Sequence, residues 1–177
     1  MVGNLNLHNV FAGNGGYLER LRVPRSDDES LRRAREKIRE ALRSAFREWE
    51  RHLSRVELFE GARAKSLGNA TLPQPKFRLQ GSFAYHTVND CQQNPPQQID
   101  QDDGVFLPIG FLASKGSVRP AIISKAYFKL VEDALRPLCV REGWRLNPER
   151  PKDTCVRVEI GPRTHIDLPL YAIRDEA

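Results

Sequence analysis

The longest hydrophobic pattern in the chain is a stripe within a highly charged stretch that starts at Ser26 and extends to about residue 60. Its apolar residues recur at helical spacing: Leu31, Ala34, Ile38, Leu42, Ala45, Trp49 and Leu53. Ser26 is a good capping residue, and the acids that follow it suit the positive end of a helix dipole. The pattern predicts a spine helix roughly 50 Å long at 1.5 Å per residue. The Gly- and Asn-rich residues 1–25 are predicted to form an irregular arm.

The hydrophobic pattern changes after residue 61. A polar connector over residues 61–76 leads to "FRLQGSFAYHTV", which is predicted to turn at Gly81 and Ser82. "IDQDDGVFLPI" is predicted to be a strand, and "DTCVRVEIGPRTHIDLPLYAI" a hairpin that turns at Gly161 and Pro162. A second helix that ends near Gly143 is predicted from apolar residues at helical spacing: Ile123, Tyr127, Leu130, Val131, Ala134, Leu135 and Leu138.

The order of these elements predicts an α/β or α+β fold, with helices on one side of a sheet. We expect two parts along the chain. Residues 1–60 form the arm and spine helix, and residues 61–177 form the core that contains the sheet.

Composition adds a weak electrostatic signal. The 177-residue chain has a net charge of +5, which mildly favours anionic partners such as nucleotides or RNA. Acids interleave with the arginines of the spine helix, so a solvated face is favoured there over a nucleic-acid surface. No apolar run reaches the ~18 residues of a membrane span, and the N-terminus lacks the pattern of a secretion signal. Three widely spaced cysteines are predicted to be reduced thiols in a cytoplasm: Cys91, Cys139 and Cys155.

An acidic cluster marks the strand candidate "IDQDDGVFLPI". Side chains alternate across a strand, so Asp100 and Asp102 are predicted to share one face while Asp103 points to the other. Two carboxylates on one face repel each other unless a cation lies between them, and Mg²⁺ takes oxygen ligands of this kind. The alternative is a turn at which the acids simply meet solvent.

Two further features favour a reactive site over that alternative. Asp167 lies inside the otherwise apolar strand "HIDLPLYAI", where a carboxylate without a partner is costly. It would complete a three-carboxylate site, or it forms a structural ion pair with Arg163 or Arg157. The Gly81–Ser82 turn could present backbone N–H groups to a phosphate. Together these features indicate nucleotide chemistry, in which carboxylates hold two metal ions and a hydroxyl displaces pyrophosphate.

These motifs resemble those of the polymerase-β-like nucleotidyltransferases. The chain is similar to the bacterial CD-NTases of CBASS anti-phage defence, and most similar to their DncV-type cyclic GMP-AMP synthases. The resemblance covers nearly the whole chain, including "LQGSFAYHTVN", "IDQDDGVFLP", "GWRLN", "TCVRVEI" and "THIDLPLYAI". It implies an α+β fold with a mixed sheet flanked by helices. The family's mostly helical second half is missing after "RDEA", so the sequence is interpreted as an N-terminal catalytic half or a truncated product.

Residue roles follow from this resemblance position by position. It implies that Asp100 and Asp102 ligate both Mg²⁺ ions, and that Asp167 ligates the catalytic one and helps to activate the attacking ribose hydroxyl. Asp103 is expected to be a second-layer or structural acid.

The resemblance also implies a nucleotide-binding set. Gln80, Gly81 and Ser82 would lie against the phosphates, and Arg157 matches an arginine that contacts nucleotide. For Arg157, an ion pair with Glu159 or Asp167 is the alternative.

The expected function is the synthesis of a cyclic dinucleotide second messenger, cyclic GMP-AMP, from ATP and GTP in a bacterial cytoplasm. The alternatives are a nucleotidyltransferase that acts on RNA or protein, and a non-catalytic module that binds nucleotide or a partner. Three retained aspartates argue against the module. Activation by nucleic acid is disfavoured because the sequence shows no Cys/His zinc cluster. A regulatory partner protein is compatible with the sequence, which does not identify one.

Overall fold

The N-terminal helices differ in detail from the prediction. The structure is a computed structural model that describes residues 10, 12, 15–52, 54, 72–90, 97–108, 124–147 and 154–173. A short helix, α1 (Tyr17–Arg20), lies in the segment predicted to be irregular. It is followed by the spine helix, α2 (Arg25–Arg47), and by a single 3-10 turn (Trp49–Arg51).

Both predicted ends of the spine helix were wrong. Ser26 does not cap it, because Pro24 is the capping residue and its carbonyl accepts the N–H groups of Asp27 and Asp28 at 3.0 and 3.1 Å. The α-helix ends at Arg47, and Glu48 leaves helical geometry with φ −116° and ψ 31°. The helix is therefore about 35 Å long instead of the predicted 50 Å.

The apolar stripe of the spine helix is buried as predicted. All of its described residues are at most 4% exposed: Leu31, Ala34, Ile38, Leu42, Ala45 and Trp49. Trp49 keeps its place in the stripe although it belongs to the 3-10 turn. Leu53 lies outside the described residues, as does most of the polar connector predicted for residues 61–76.

Within the described residues, five strands form a mixed sheet, which confirms the α+β class. They are β1 (Lys76–Gln80), β2 (Ile99–Pro108), β3 (Arg145–Leu146), β4 (Cys155–Glu159) and β5 (Thr164–Ile173). The spatial order is β1-β2-β5-β4-β3. Only β2 and β5 pair in parallel, and the other neighbours are antiparallel. The predicted hairpin is confirmed as β4 and β5, whereas the two-residue β3 was not predicted.

A helical turn, α3 (Gly81–Ala84), follows β1, and the second predicted helix is α4 (Ser124–Glu142), which ends before Gly143 as expected. The two long helices, α2 and α4, cover the same side of this sheet. The described residues of the predicted apolar stripe of α4 join those of α2 and the sheet in one core, and Ile123 lies outside the described residues. The Tyr127 hydroxyl donates to the Val105 carbonyl at 3.2 Å, and burial raises the pKa of Tyr127. The opposite face of the sheet carries the polar side chains considered below.

Among the described helices, none is both long and apolar enough to cross a bilayer. Cys139 and Cys155 are thiols, as predicted, and both are buried; burial raises the pKa of Cys139 to about 11. Cys91 lies outside the described residues.

Candidate active site

The parallel pairing of β2 with β5 brings the predicted acids together. In this register Asp102 lies opposite Asp167, and Asp100 lies opposite His165. Side chains on one strand alternate between faces, so these four residues share the face of the sheet that α2 and α4 leave uncovered. The three predicted acids are therefore neighbours on one face, and a histidine lies beside them.

The residues that follow each of these acids on β2, Gln101 and Asp103, point to the other face, as alternation predicts. Asp103 is fully buried and accepts two hydrogen bonds from Arg39 of α2, Nε to Oδ2 at 2.8 Å and Nη2 to Oδ1 at 2.6 Å. The expected structural role of Asp103 is thus confirmed, because it anchors the spine helix to the sheet. Gln101 is also fully buried on this face.

Asp167 is held by a guanidinium on the same face of the sheet. Arg157 of β4 lies opposite it and donates Nε to Oδ1 at 2.6 Å and Nη2 to Oδ2 at 2.7 Å. The Asp167 side chain is 9% exposed and that of Arg157 is 18% exposed. The ion pair raises the pKa of Arg157, with the hydrogen bond to Asp167 as the largest cause. The sequence left several ion-pair partners open for Asp167 and for Arg157, and in the structure these two residues pair with each other.

The other candidate partners are engaged elsewhere. Glu159 pairs with Arg145 of β3. Arg163 contacts Asp90 at 3.0 Å and Asp27, at the start of α2, at 3.6 Å. The predicted contact of Arg157 with nucleotide stays a prediction.

Asn147 holds the backbone of Arg157 through hydrogen bonds, and sequence reasoning missed this residue. Its side-chain oxygen accepts the Arg157 backbone N–H at 2.8 Å, and its own backbone N–H donates to the Arg157 carbonyl at 2.8 Å. Its amide nitrogen donates to Glu132 of α4 at 2.7 Å. The backbone of Asn147 has φ 43°, a conformation that asparagine tolerates better than most residues. No spacing in the sequence pointed to this position, because the contact depends on how β3 meets β4.

The predicted phosphate turn lies directly beside the acids. Gln80 is the last residue of β1 and pairs in register with Asp102. Gly81 has φ +61°, and a Cβ atom there would clash with Asp102 Oδ2. A glycine therefore suits the positive φ of the turn and leaves room for the close approach of the carboxylate. The Gln80 side-chain oxygen accepts the Tyr171 hydroxyl at 3.4 Å, and the Ser82 carbonyl accepts the Thr87 N–H at 2.8 Å.

The charges of the cluster act on Asp102. Its pKa is raised, first because partial burial disfavours the charged form and then because Asp100 and Asp167 repel it. His165 and Arg157 oppose this shift. A carboxylate under such repulsion gains from a cation placed among the acids.

The donor set fits a divalent ion. One ligand atom from each of Asp100, His165 and Asp167 can be chosen so that all three lie within 4.8 Å of one another. Asp100 Oδ1 and His165 Nε2 are buried atoms without a hydrogen-bond partner, although they are 2.9 Å apart. Sequence reasoning missed His165. Its position two residues before Asp167, on the same strand face, was the signal available.

Comparisons with known proteins show similarity to nucleotidyltransferases. The family model for the nucleotidyltransferase domain of DncV-like cyclic GMP-AMP synthases matches residues 75–171. A cyclic GMP-AMP synthase of Escherichia coli (strain TW11681) is 30% identical, and the match covers 95% of this chain and 45% of that protein.

Solved structures give the same result. The di-nucleotide cyclase DncV of Vibrio cholerae, in a mutant form with ATP and GTP, has a TM-score of 0.72 at 28% identity, over 96% of this chain and 50% of that one. The V. cholerae enzyme with a linear intermediate, 5′ pppA(3′,5′)pG, has a TM-score of 0.70 at 28% identity, over 96% and 49%. The chain spans about half the length of the relatives that it matches.

Proposed function

We propose, from the premise that the chain belongs to the DncV-like nucleotidyltransferase family, that its acid cluster transfers nucleotides to build a cyclic dinucleotide. The observation that carries this proposal is the β2–β5 register, which sets Asp102 opposite Asp167 and Asp100 opposite His165. Acids on one face of a sheet repel one another. Their arrangement is understandable if together they bind the metal ions that accompany a nucleotide.

Each residue has a task that its surroundings support. Asp100 and Asp102 would hold the metal ions from β2, and Asp167 would do so from β5. Arg157 orients the Asp167 carboxylate through its bidentate contact. Gly81 lets the turn after β1 approach Asp102 closely enough for a triphosphate to lie against both. Gln80, Ser82 and Arg157 complete the proposed nucleotide contacts.

Two Mg²⁺ ions, when bound, would polarise the α-phosphate and lower the pKa of the attacking ribose hydroxyl. The chain's own part is to place that hydroxyl and to keep Asp167 aligned with it. Because Arg157 fixes both carboxylate oxygens, little reorganisation is needed when the hydroxyl attacks and pyrophosphate leaves. Two such transfers in one site would close a ring.

The proposed substrates are ATP and GTP, and the proposed product is cyclic GMP-AMP. The support comes from structures of the V. cholerae enzyme. One contains ATP and GTP, and another contains a linear intermediate that joins an adenine nucleotide to a guanine nucleotide. The product is proposed to act as an anti-phage second messenger in the bacterial cytoplasm, and the enzyme to be controlled by a partner protein. Both proposals rest on the family resemblance alone.

The test is an assay with radiolabelled ATP, GTP and Mg²⁺. Because the chain spans about half of its relatives, it is assayed alone and fused to the uncovered portion of the E. coli relative. We expect a product that resists nuclease P1 and phosphatase. The Asp100→Asn/Asp102→Asn variant should make none, whereas Asp133→Asn, an acid of α4 outside the site, should act like wild type. Products that remain linear, or transfer to RNA or protein, would exclude the cyclase.

A further inference from the structure

A cavity lies between the start of the spine helix and the segment around α3, on the helix-covered side of the sheet. Its volume is about 520 Å³, within the usual range for small-molecule sites. The acid cluster occupies the other face of the sheet, so this cavity is separate from the proposed active site. Its polar lining includes four arginines and a glutamine: Arg22, Arg25, Arg32, Arg35 and Gln101.

Gln101 is a buried amide without a partner. It is 0% exposed, and neither Oε1 nor Nε2 has a hydrogen-bond partner in the part of the chain that the structure describes. Buried polar side chains are nearly always hydrogen-bonded, and an unpaired one destabilises the fold. Because no hydrogen bond fixes this amide, it can turn toward a molecule in the cavity. It offers such a molecule a donor and an acceptor side by side.

The arginines make the cavity cationic, and Asp28 is the one acid among its described lining residues. Three of the arginines pair with acids, but each pair has an exposed member, and exposed pairs are weak. A guanidinium also has five N–H donors, so each arginine keeps donors for the anionic group of a ligand. The pairs are Arg25 with Glu29 at 2.8 Å, Arg32 with Asp28 at 3.0 Å, and Arg35 with Glu36 at 3.4 Å.

Together these groups match a molecule with a phosphate at one end and a flat base at the other. Guanidinium groups bind phosphate through two parallel hydrogen bonds. A glutamine amide pairs with the edge of a purine base, which carries a donor and an acceptor side by side. Phe83 and His86 also line the cavity, and aromatic rings of this kind stack on bases. A simple inorganic anion would neutralise the arginines but leave the amide of Gln101 unpaired.

We propose that this cavity is a second nucleotide site, which holds a purine nucleotide with its base against Gln101 and its phosphate among the arginines. Gln101 lies between Asp100 and Asp102 on β2. Phe83 belongs to α3, the helical turn that begins beside the acids. An occupant therefore contacts the strand and the turn that carry the proposed active site on the opposite face. The inference stands apart from the proposed function, because it needs neither a metal ion nor turnover.

The experiment measures AMP binding by calorimetry without divalent ions, so that no metal bridges the nucleotide to the acid cluster. We expect one AMP per chain. Gln101→Met, which nearly keeps the side-chain volume, should weaken AMP binding by at least about tenfold. It should leave the binding of ribose 5-phosphate, which has no base, unchanged. The variant should also resist urea at least as well as wild type, because it removes an unpaired buried amide.

A second variant and a matched control test the phosphate end. Arg32→Gln/Arg35→Gln should weaken the binding of both AMP and ribose 5-phosphate. The control is Arg33→Gln, which removes a 71% exposed arginine of the same helix that is not among the described lining residues. It should bind both ligands like wild type.

The acid-cluster variant Asp100→Asn/Asp102→Asn should also bind AMP like wild type. Loss of AMP binding in this variant, with retention in Gln101→Met, would place AMP in the active site and overturn the inference. Equal AMP binding by wild type and Gln101→Met, or no binding to wild type, would overturn it as well. A large loss of stability in Gln101→Met would do the same, because the amide would then hold the fold. None of these results decides the nucleotide-transfer assay, so the two proposals fail separately.

Discussion

At the scale of single residues, Asp167 depends on one guanidinium. Its carboxylate is almost fully buried, and the neighbouring acids Asp100 and Asp102 add negative charge on the same face. Removing one partner of a buried ion pair is much more destabilising than the pair is stabilising, because the remaining charge stays desolvated. Arg157 is therefore as important to the folded chain as to the site.

We predict that Arg157→Met lowers the free energy of unfolding by about 3 kcal/mol in EDTA. Excess MgCl₂ should restore part of this loss, because a divalent ion can replace the missing positive charge. Urea unfolding followed by circular dichroism measures both values. The control is Arg145→Met, since Arg145 is 72% exposed in its pair with Glu159 and should cost no more than about 1 kcal/mol. Equal losses in the two variants would contradict the prediction.

Asp102 gives a prediction with the opposite sign. Its pKa is raised above the ordinary 3.8, with burial as the largest cause. A raised pKa means that protonation favours the folded state, so stability is lost as the pH rises through the unfolded and then the folded value. Asp102→Asn should therefore raise the free energy of unfolding at pH 7 in EDTA above that of wild type, by up to about 1 kcal/mol.

The same variant should match wild type at a pH below the ordinary carboxyl pKa, where Asp102 is protonated in both states. Thermal melts across this pH range check whether the stability difference between the variant and wild type disappears at low pH. Asp133→Asn on α4 is the control and should show no such pH-dependent difference. A uniform gain at all pH values would mean that the negative charge of Asp102 is not the cause.

At the scale of the elements, local periodicity was readable from the sequence and long-range pairing was not. Alternation along β2 correctly placed Asp100 and Asp102 on one face and Asp103 on the other, because side-chain direction is a property of the strand itself. The stripe of α2 was also correct. The helix end was missed because Trp49 stays buried after the α-helix stops, so the hydrophobic pattern continues through a change of backbone geometry.

The remaining misses arise from contacts between different strands. β3 has two residues, and it is defined only by its pairing with β4. The approach of His165 to Asp100 depends on the register of β2 with β5. Neither a propensity nor a spacing encodes that register directly.

The turn after β1 tests how closely an element must approach the site. Gly81 and Gly143 both have positive φ, +61° and +70°, but a Cβ would meet Asp102 at Gly81 and nothing within 4 Å at Gly143. We predict that Gly143→Ala costs about 1 kcal/mol, the strain of the backbone alone. Gly81→Ala should cost more and should also weaken Mg²⁺ binding, because it displaces the Asp102 carboxylate. Urea unfolding and Mg²⁺ titration would separate the two effects, and equal behaviour of the variants would refute the close approach.

At the scale of the whole molecule, the two faces of the sheet have different roles. The helices bury one face, and Asp100, Asp102 and Asp167 lie on the other. Asp103 joins the two layers, because it directly follows Asp102 of the acid cluster in sequence yet is fully buried against Arg39 of the spine helix. A change in this anchor is therefore expected to affect stability without altering the ligand set on the opposite face.

We predict that Arg39→Met lowers the free energy of unfolding by about 3–5 kcal/mol, because it leaves Asp103 charged and unpaired in the core. The double variant Arg39→Met/Asp103→Leu should recover most of that loss, since apolar residues of similar volume can replace a buried ion pair. Arg32→Met, which breaks an exposed pair with Asp28, should cost no more than about 1 kcal/mol. The double variant should also bind Mg²⁺ like wild type, because its ligands lie on the other face. Loss of Mg²⁺ binding in a double variant of normal stability would show that the two faces are coupled.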